Sequence, residues 1–147
     1  MLGVEGLKQY FRKNGINRNS ERTNTELYLF STLPPTIRIE VLEDYLQKDS
    51  YALVLEKLSK AYGKADQLEK LKERLADWIE KGYTDQNMAE MLYESAEILN
   101  RYADRLPIAK GMEQARANFD AAMSVVKDPV DEEFREIMQS IFNEIVS

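Results

Sequence analysis

The sequence predicts an all-α protein of about eight helices. Apolar residues recur every three or four positions along almost the whole chain, which is the repeat of an amphipathic helix. Most glycines and prolines fall between these segments, and no segment alternates apolar and polar residues as a half-buried strand would. With 44% hydrophobic and 31% charged residues in 147 positions, the chain should fold as one domain or two very small ones.

The first two predicted helices lie on either side of a polar connector. The first helix presents Leu7 and Phe11 on one face, and Gly15 follows it as a C-terminal capping signal. The connector is "INRNSERTN", and a short apolar helix, "TELYLFSTL", comes next.

A double proline separates the second helix from the third. Pro34 ends the second helix, because proline lacks an amide donor and disfavours the helical conformation of the residue before it. Pro35 can occupy the first turn of the third helix, where the missing donor is harmless. We expect Leu33 to pack inside this corner. The buried face of the third helix comprises Ile37, Val41, Leu42 and Tyr45.

The fourth and fifth helices carry full apolar stripes. We expect Asp49 or Ser50 to cap the fourth helix and Gly63 to end it, and Lys81-Gly82 to end the fifth. The stripes comprise Tyr51, Val54, Leu55, Leu58 and Tyr62 in the fourth helix, and Leu68, Leu71, Leu75, Trp78 and Ile79 in the fifth.

The last three helices follow from the same repeat. Thr84 or Asp85 should cap the sixth, which ends before Pro107, and Asp128 should cap the eighth with Pro129 in its first turn. We interpret Met88, Met91 and Met112 as core residues that fill gaps rather than as a peptide-binding groove. The apolar faces comprise Met88, Met91, Leu92, Leu99 and Tyr102; then Met112, Ala115, Phe119, Ala122, Met123 and Val126; then Phe134, Ile137, Met138, Ile141, Phe142 and Ile145.

The composition argues against catalysis. Without cysteine the chain has no disulfide framework, which fits a reducing compartment, and we expect a cytoplasmic location. Without histidine it lacks the usual general base and the commonest transition-metal ligand. No apolar run approaches the ~18 residues that a membrane span needs, and the N-terminus lacks the apolar stretch of a secretion signal. We therefore expect no catalytic residue, no cofactor, no metal and no membrane contact.

One acidic cluster has the spacing of a candidate metal site. Glu90, Glu94 and Glu97 recur at helical spacing, so their carboxylates could converge. Metal-binding helical bundles need a second acidic helix opposite the first, and no matching motif is evident. A solvated helix face is the favoured interpretation, and a metal enzyme is the least favoured function.

The charge is unevenly distributed. The whole chain carries −6, whereas residues 1–25 hold five basic and two acidic residues, a net +3 that leaves −9 for the remainder. Proteins that wrap a DNA duplex gain nonspecific affinity from basic residues that neutralise its phosphates. The acidic remainder of this chain therefore argues against such a function. A weak, salt-sensitive contact with RNA or DNA remains open beside the favoured interpretation of a solvated surface. Its candidate residues are Lys8, Arg12, Lys13, Arg18 and Arg22.

The order of the motifs resembles the capsid region of Gag polyproteins from gypsy-type retrotransposons. The resemblance covers roughly residues 5–104, and beyond them only Leu106-Pro107 matches. The Cys/His zinc knuckle of such polyproteins does not occur in this sequence. The matching segments are "YFRKNGI", "LYLFSTLPPTIRIEVLEDYL", "SYALVLEKLSKAYGKADQLEKLKE" and "KGYTDQNMAEMLYESAEIL". The matching positions are Phe11, Gly15-Ile16, Leu33-Pro34-Pro35, Tyr51, Leu58, Tyr62-Gly63, Leu68 and Leu71.

The resemblance implies a retroviral-capsid-like protein with an N-terminal helical subdomain at residues 1–82 and a C-terminal one at residues 83–147. Its function would be non-enzymatic self-assembly into homo-oligomers or shells. Such an assembly needs a two-fold contact between the C-terminal subdomains of two chains. We expect the last predicted helix to form it through Phe134, Met138 and Phe142, because this helix has the widest apolar face.

The alternative is a small acidic helical protein-binding module, of phage or host-defence type, that acts by covering a partner's surface. Its net charge of −6 would suit a basic partner protein.

Overall fold

Eight helices make up the regular structure of the described residues. The computed structural model describes residues 1–17, 19–101 and 111–143, and within these ranges it contains no strand. The predicted all-α class is confirmed. The helices are α1 (Gly3–Asn14), α2 (Glu21–Phe30), α3 (Pro35–Leu46), α4 (Ala52–Lys64), α5 (Leu68–Glu80), α6 (Gln86–Arg101), α7 (Met112–Val125) and α8 (Glu132–Asn143).

The turns before α2 and α3 follow from their sequence. The Ser20 hydroxyl accepts a hydrogen bond from the Thr23 amide, which satisfies one of the free donors at the start of α2. Pro35 is the first residue of α3, as predicted, and Leu33 is buried in the corner before it. The double proline therefore turns the chain without exposing its apolar residues.

Of the three predicted N-terminal caps of α4, α6 and α8, two are wrong and one is confirmed. The Asp85 carboxylate accepts a hydrogen bond from the Met88 amide and caps α6, as predicted. Tyr51, rather than Asp49 or Ser50, precedes α4, and it makes no side-chain cap. At α8 the capping carboxylate belongs to Asp131, which accepts from the amides of residues 133 and 134, and Asp128 lies further upstream.

The helices share one hydrophobic core. The most extensive contact joins α4 to α6, and α4 also packs against α3 and α5. At the other end of the chain α8 packs against α1, and α7 contacts both α2 and α8. Buried hydrophobic side chains from all eight helices belong to a single cluster.

This packing contradicts the division into subdomains 1–82 and 83–147. Gly82 does lie in a turn, with a φ of 78° that favours glycine, but the turn does not separate two cores. Helices from the second segment fill the grooves of the first, because α6 completes the surface of α4 and α8 completes that of α1. Ile145 and Tyr102, assigned to apolar faces, lie outside the described residues.

The contact between α4 and α6 depends on Gly63. A Cβ atom at this position would lie 2.3 Å from the Ala96 carbonyl oxygen, which is far inside van der Waals contact. The backbones of the two helices therefore approach more closely than any side chain at position 63 would allow.

We predict that Gly63→Ala destabilises the protein although alanine is the better helix former. The methyl group must push α4 and α6 apart, and overpacking of this kind costs about 1–3 kcal/mol in the free energy of unfolding. Urea denaturation followed by circular dichroism measures the change.

The matched control is Gly111→Ala, where a Cβ atom would meet nothing within 4 Å. This variant should change the free energy of unfolding by less than about 1 kcal/mol. Equal effects of the two substitutions would show that the close approach at Gly63 does not limit stability.

Candidate binding groove between α4 and α6

An apolar cavity opens between α2, α3, α4 and α6. Its volume is about 620 Å³, which is in the range of small-molecule sites in proteins. Leu27, Phe30 and Leu42 form buried parts of its wall. Met91 and Ile98 of α6 stand at its mouth, 69% and 40% exposed respectively.

Arg38 supplies the deepest charge of this cavity. Its side chain is only 9% exposed, and burial lowers its pKa to about 10. The Nε atom donates a hydrogen bond to the Leu33 carbonyl at 3.1 Å, so the side chain reaches back to the double-proline corner. Within the described part of the chain, no carboxylate forms an ion pair with Arg38. Buried charges in proteins are usually paired, so this is an unusual position for a guanidinium.

Three lysines on one face of α4 add to this positive charge. Lys57, Lys60 and Lys64 follow one another at spacings of three and four, and all three line the cavity. Burial, followed by repulsion from Arg38, Lys60 and Lys57, lowers the pKa of Lys64. Lys60 forms an ion pair with Glu56 at 3.0 Å. Of the described residues that line the cavity, one is acidic, the exposed Glu94.

A second, smaller cavity of about 340 Å³ continues along α4 and α6. It shares Lys60, Met91 and Ser95 with the first cavity, and Met88 lines its other end. We call the two cavities together the groove. Met88, Met91 and Ile98 form an exposed apolar row along its α6 side.

The interpretation of the methionines as gap fillers is therefore wrong for two of the three. Met112 is buried, but Met88 and Met91 face solvent at the groove. The sequence contains one signal that indicates the groove, the lysines at positions 57, 60 and 64, which recur at helical spacing on a largely apolar helix. The contribution of Arg38 could not be inferred, because it depends on how α3 is placed beside α4 and α6.

The predicted nucleic-acid residues do not form a free basic patch. Each of the four described residues has an acidic partner, so much of the +3 charge is compensated within the chain. Arg18 lies outside the described residues. The pairs are Lys8 with Glu5 at 2.8 Å, Arg12 with Asp44 at 2.8 Å, Lys13 with Glu133 at 3.4 Å, and Arg22 with Glu26. A contact with nucleic acid stays a prediction.

The predicted oligomer contact is wrong for its three residues. Phe134, Met138 and Phe142 are no more than 2% exposed. The ring of Phe134 lies 5.4 Å from that of Tyr10, and the ring of Phe142 lies 5.2 Å from that of Phe119. The wide apolar face of α8 is wide because α1 and α7 pack on it within the same chain.

A buried carboxylate stabilises the packing of α1 against α2. The Glu26 side chain accepts hydrogen bonds from the Tyr10 hydroxyl and from Arg22, and burial raises its pKa. Since its oxygens have partners on both helices, we assign it a structural role. Sequence analysis missed it, because it lies in a short helix of weak amphipathic character.

The described ranges contain neither a metal-binding group of acids nor a membrane-spanning helix. No three acidic side chains there are grouped so that they could hold a metal ion, and Glu90, Glu94 and Glu97 form no such group. No described helix combines the length and the apolar character needed to cross a membrane.

Comparison with known proteins adds no family to this description. No family model matches the sequence, and neither a curated protein nor a solved structure matches it. The function must therefore be argued from the groove and from the chemistry of the side chains that line it.

We predict that Lys64→Gln stabilises the protein in the absence of a ligand. Because burial and neighbouring cations disfavour the charged amine in the folded state, its removal should raise the free energy of unfolding by about 0.2–0.5 kcal/mol. The pKa of Lys64 is lowered on folding, so the difference between wild type and variant should shrink as the pH rises towards 10.5.

The control is Lys70→Gln, which removes the same charge from an exposed position on α5 outside the groove. Urea denaturation at neutral and alkaline pH compares the three proteins. If Lys64→Gln instead lowered the free energy of unfolding at neutral pH, the charge of Lys64 would not be destabilising in the folded state.

Proposed function

We propose that this chain is a non-enzymatic binding protein and that the groove between α4 and α6 holds its ligand. One observation carries the proposal: the buried cation Arg38 lies in an apolar cavity and has no acidic partner within the described part of the chain. A ligand that supplies an anion would complete this arrangement.

The proposal stands closer to the binding-module hypothesis than to self-assembly. The Gag-like hypothesis is supported by the order of sequence motifs from residue 5 to residue 104, but the residues expected to join its subunits pack inside the chain. The partner's chemistry also differs from the expected basic protein. The groove is positive although the whole chain is acidic, so it favours an anionic group.

Site-specific crosslinking tests the proposal. We predict that a photoreactive residue in place of Met91 crosslinks a molecule from cells, because this side chain stands at the mouth of the groove. The control places the same residue at Ala117, which is exposed on α7 away from the groove. Mass spectrometry then shows whether the product is a protein or a small molecule.

Crosslinking at position 91 that does not exceed crosslinking at position 117 would contradict the proposal. A substitution inside the groove provides a second criterion. Arg38→Gln should reduce the amount of crosslinked product at position 91.

Light scattering over a concentration series separates this function from self-assembly. We expect the mass of one chain up to hundreds of micromolar, in both low and high salt, because the apolar face of α8 is occupied. An increase in mass to that of rings or shells would favour the Gag-like hypothesis. The variant Met91→Glu would then show whether the groove mediates the assembly, because it should abolish assembly through that surface.

A further inference from the structure

We propose that the larger cavity binds a small amphiphile, a carboxylate or phosphate group on an apolar tail, with the anionic group against Arg38 and Lys64. The inference rests on the proposed function and names the ligand's chemical class. Its site lies between α2, α3, α4 and the C-terminal half of α6.

The case for an anion begins with the unused donors of Arg38. A guanidinium offers five N–H groups, and the hydrogen bond to Leu33 uses the one on Nε. Within the described chain, nothing accepts from the two terminal nitrogens. These two nitrogens have the planar geometry that binds both oxygens of a carboxylate or phosphate. Lys64, half-buried beside Arg38, supplies a second positive charge.

A purely structural role explains only part of this arrangement. The Leu33 carbonyl oxygen needs a donor, because within the described chain no backbone amide donates to it. One N–H group satisfies that need. Stability alone does not require a lysine at position 64 beside the buried Arg38, since the two like charges repel one another.

The case for an apolar tail comes from the cavity wall. Leu27, Phe30 and Leu42 line the cavity beside the cationic end, and Leu99 joins them from α6. A free inorganic anion would leave these apolar surfaces in contact with water. A tail that runs past them towards Met91 and Ile98 would also cover the exposed apolar row.

The depth of Arg38 favours a small ligand over a protein segment. Arg38 as a residue is nine-tenths buried and lies among four helices, whereas a partner helix would rest on the exposed row at the mouth. A slender chain with its charge at one end can reach the guanidinium without displacing α6. The volume of about 620 Å³ leaves room for such a chain.

Matched amphiphiles test the inference on the full chain. Decanoate and decyl phosphate should bind with one site per chain in calorimetry, and decyltrimethylammonium and inorganic phosphate should not. Methyl NMR should show shifts for Met91 and Ile98 on addition of decanoate. Met112, buried on α7 away from the cavity, should remain unchanged.

Variants then locate the anionic group. Arg38→Gln should weaken decanoate binding about tenfold or more, because a charged hydrogen bond is lost. Lys64→Gln should weaken it severalfold, and it leaves the corner at Leu33 intact if Arg38→Gln perturbs the fold. Lys70→Gln removes an equal charge outside the cavity and should leave the affinity unchanged.

Several outcomes would overturn the inference. Equal binding of decanoate and decyltrimethylammonium would show general apolar adsorption, and equal effects of Lys64→Gln and Lys70→Gln would show nonspecific electrostatics. Binding of inorganic phosphate as strong as decyl phosphate would reduce the site to a simple anion site. No decanoate binding, together with a protein crosslinked at Met91, would reject the amphiphile and leave the proposed function standing.

Discussion

The close approach of α4 and α6 is the constraint on which the rest of the molecule depends. α4 is the helix that α3, α5 and α6 all contact, and its C-terminal turn touches the α6 backbone through Gly63. This contact sets the distance between the two walls of the groove. It also brings a helix from beyond residue 82 into the surface formed by the earlier helices, which is why the chain has a single core.

Ion pairs within the chain decide where its charge is available. Arg74 of α5 binds Glu43 of α3, which also accepts a hydrogen bond from Tyr62 of α4, so three helices meet at one carboxylate. The basic residues near the N-terminus are compensated in a similar way by acids on other elements. The charge of the larger cavity is less compensated, because the basic residues that line it outnumber the acidic ones. The net charge of the chain is therefore negative, whereas the electrostatic potential at the groove is expected to be positive.

Some local features of this fold could be predicted from the sequence, and contacts between helices could not. Pro35 and Asp85 identify helix starts because their effects involve only neighbouring backbone groups. Periodicity shows that Phe134 faces a core, but it does not show whether another chain or α1 supplies that core. The candidate site depends on such contacts. Arg38 occurs in the first turns of an ordinary-looking helix, and it gains its significance only from burial against three other helices.

Arg38 serves the corner and the cavity with the same guanidinium. Its Nε atom donates to the Leu33 carbonyl at the chain reversal, and the same residue lines the cavity where a ligand would lie. Evolutionary drift at this position is therefore limited by two requirements at once. An arginine retained here in related sequences would not distinguish selection for folding from selection for binding. Lys64 makes no contact with the corner, and its charge costs stability in the unliganded chain, so a lysine retained here would indicate selection for binding.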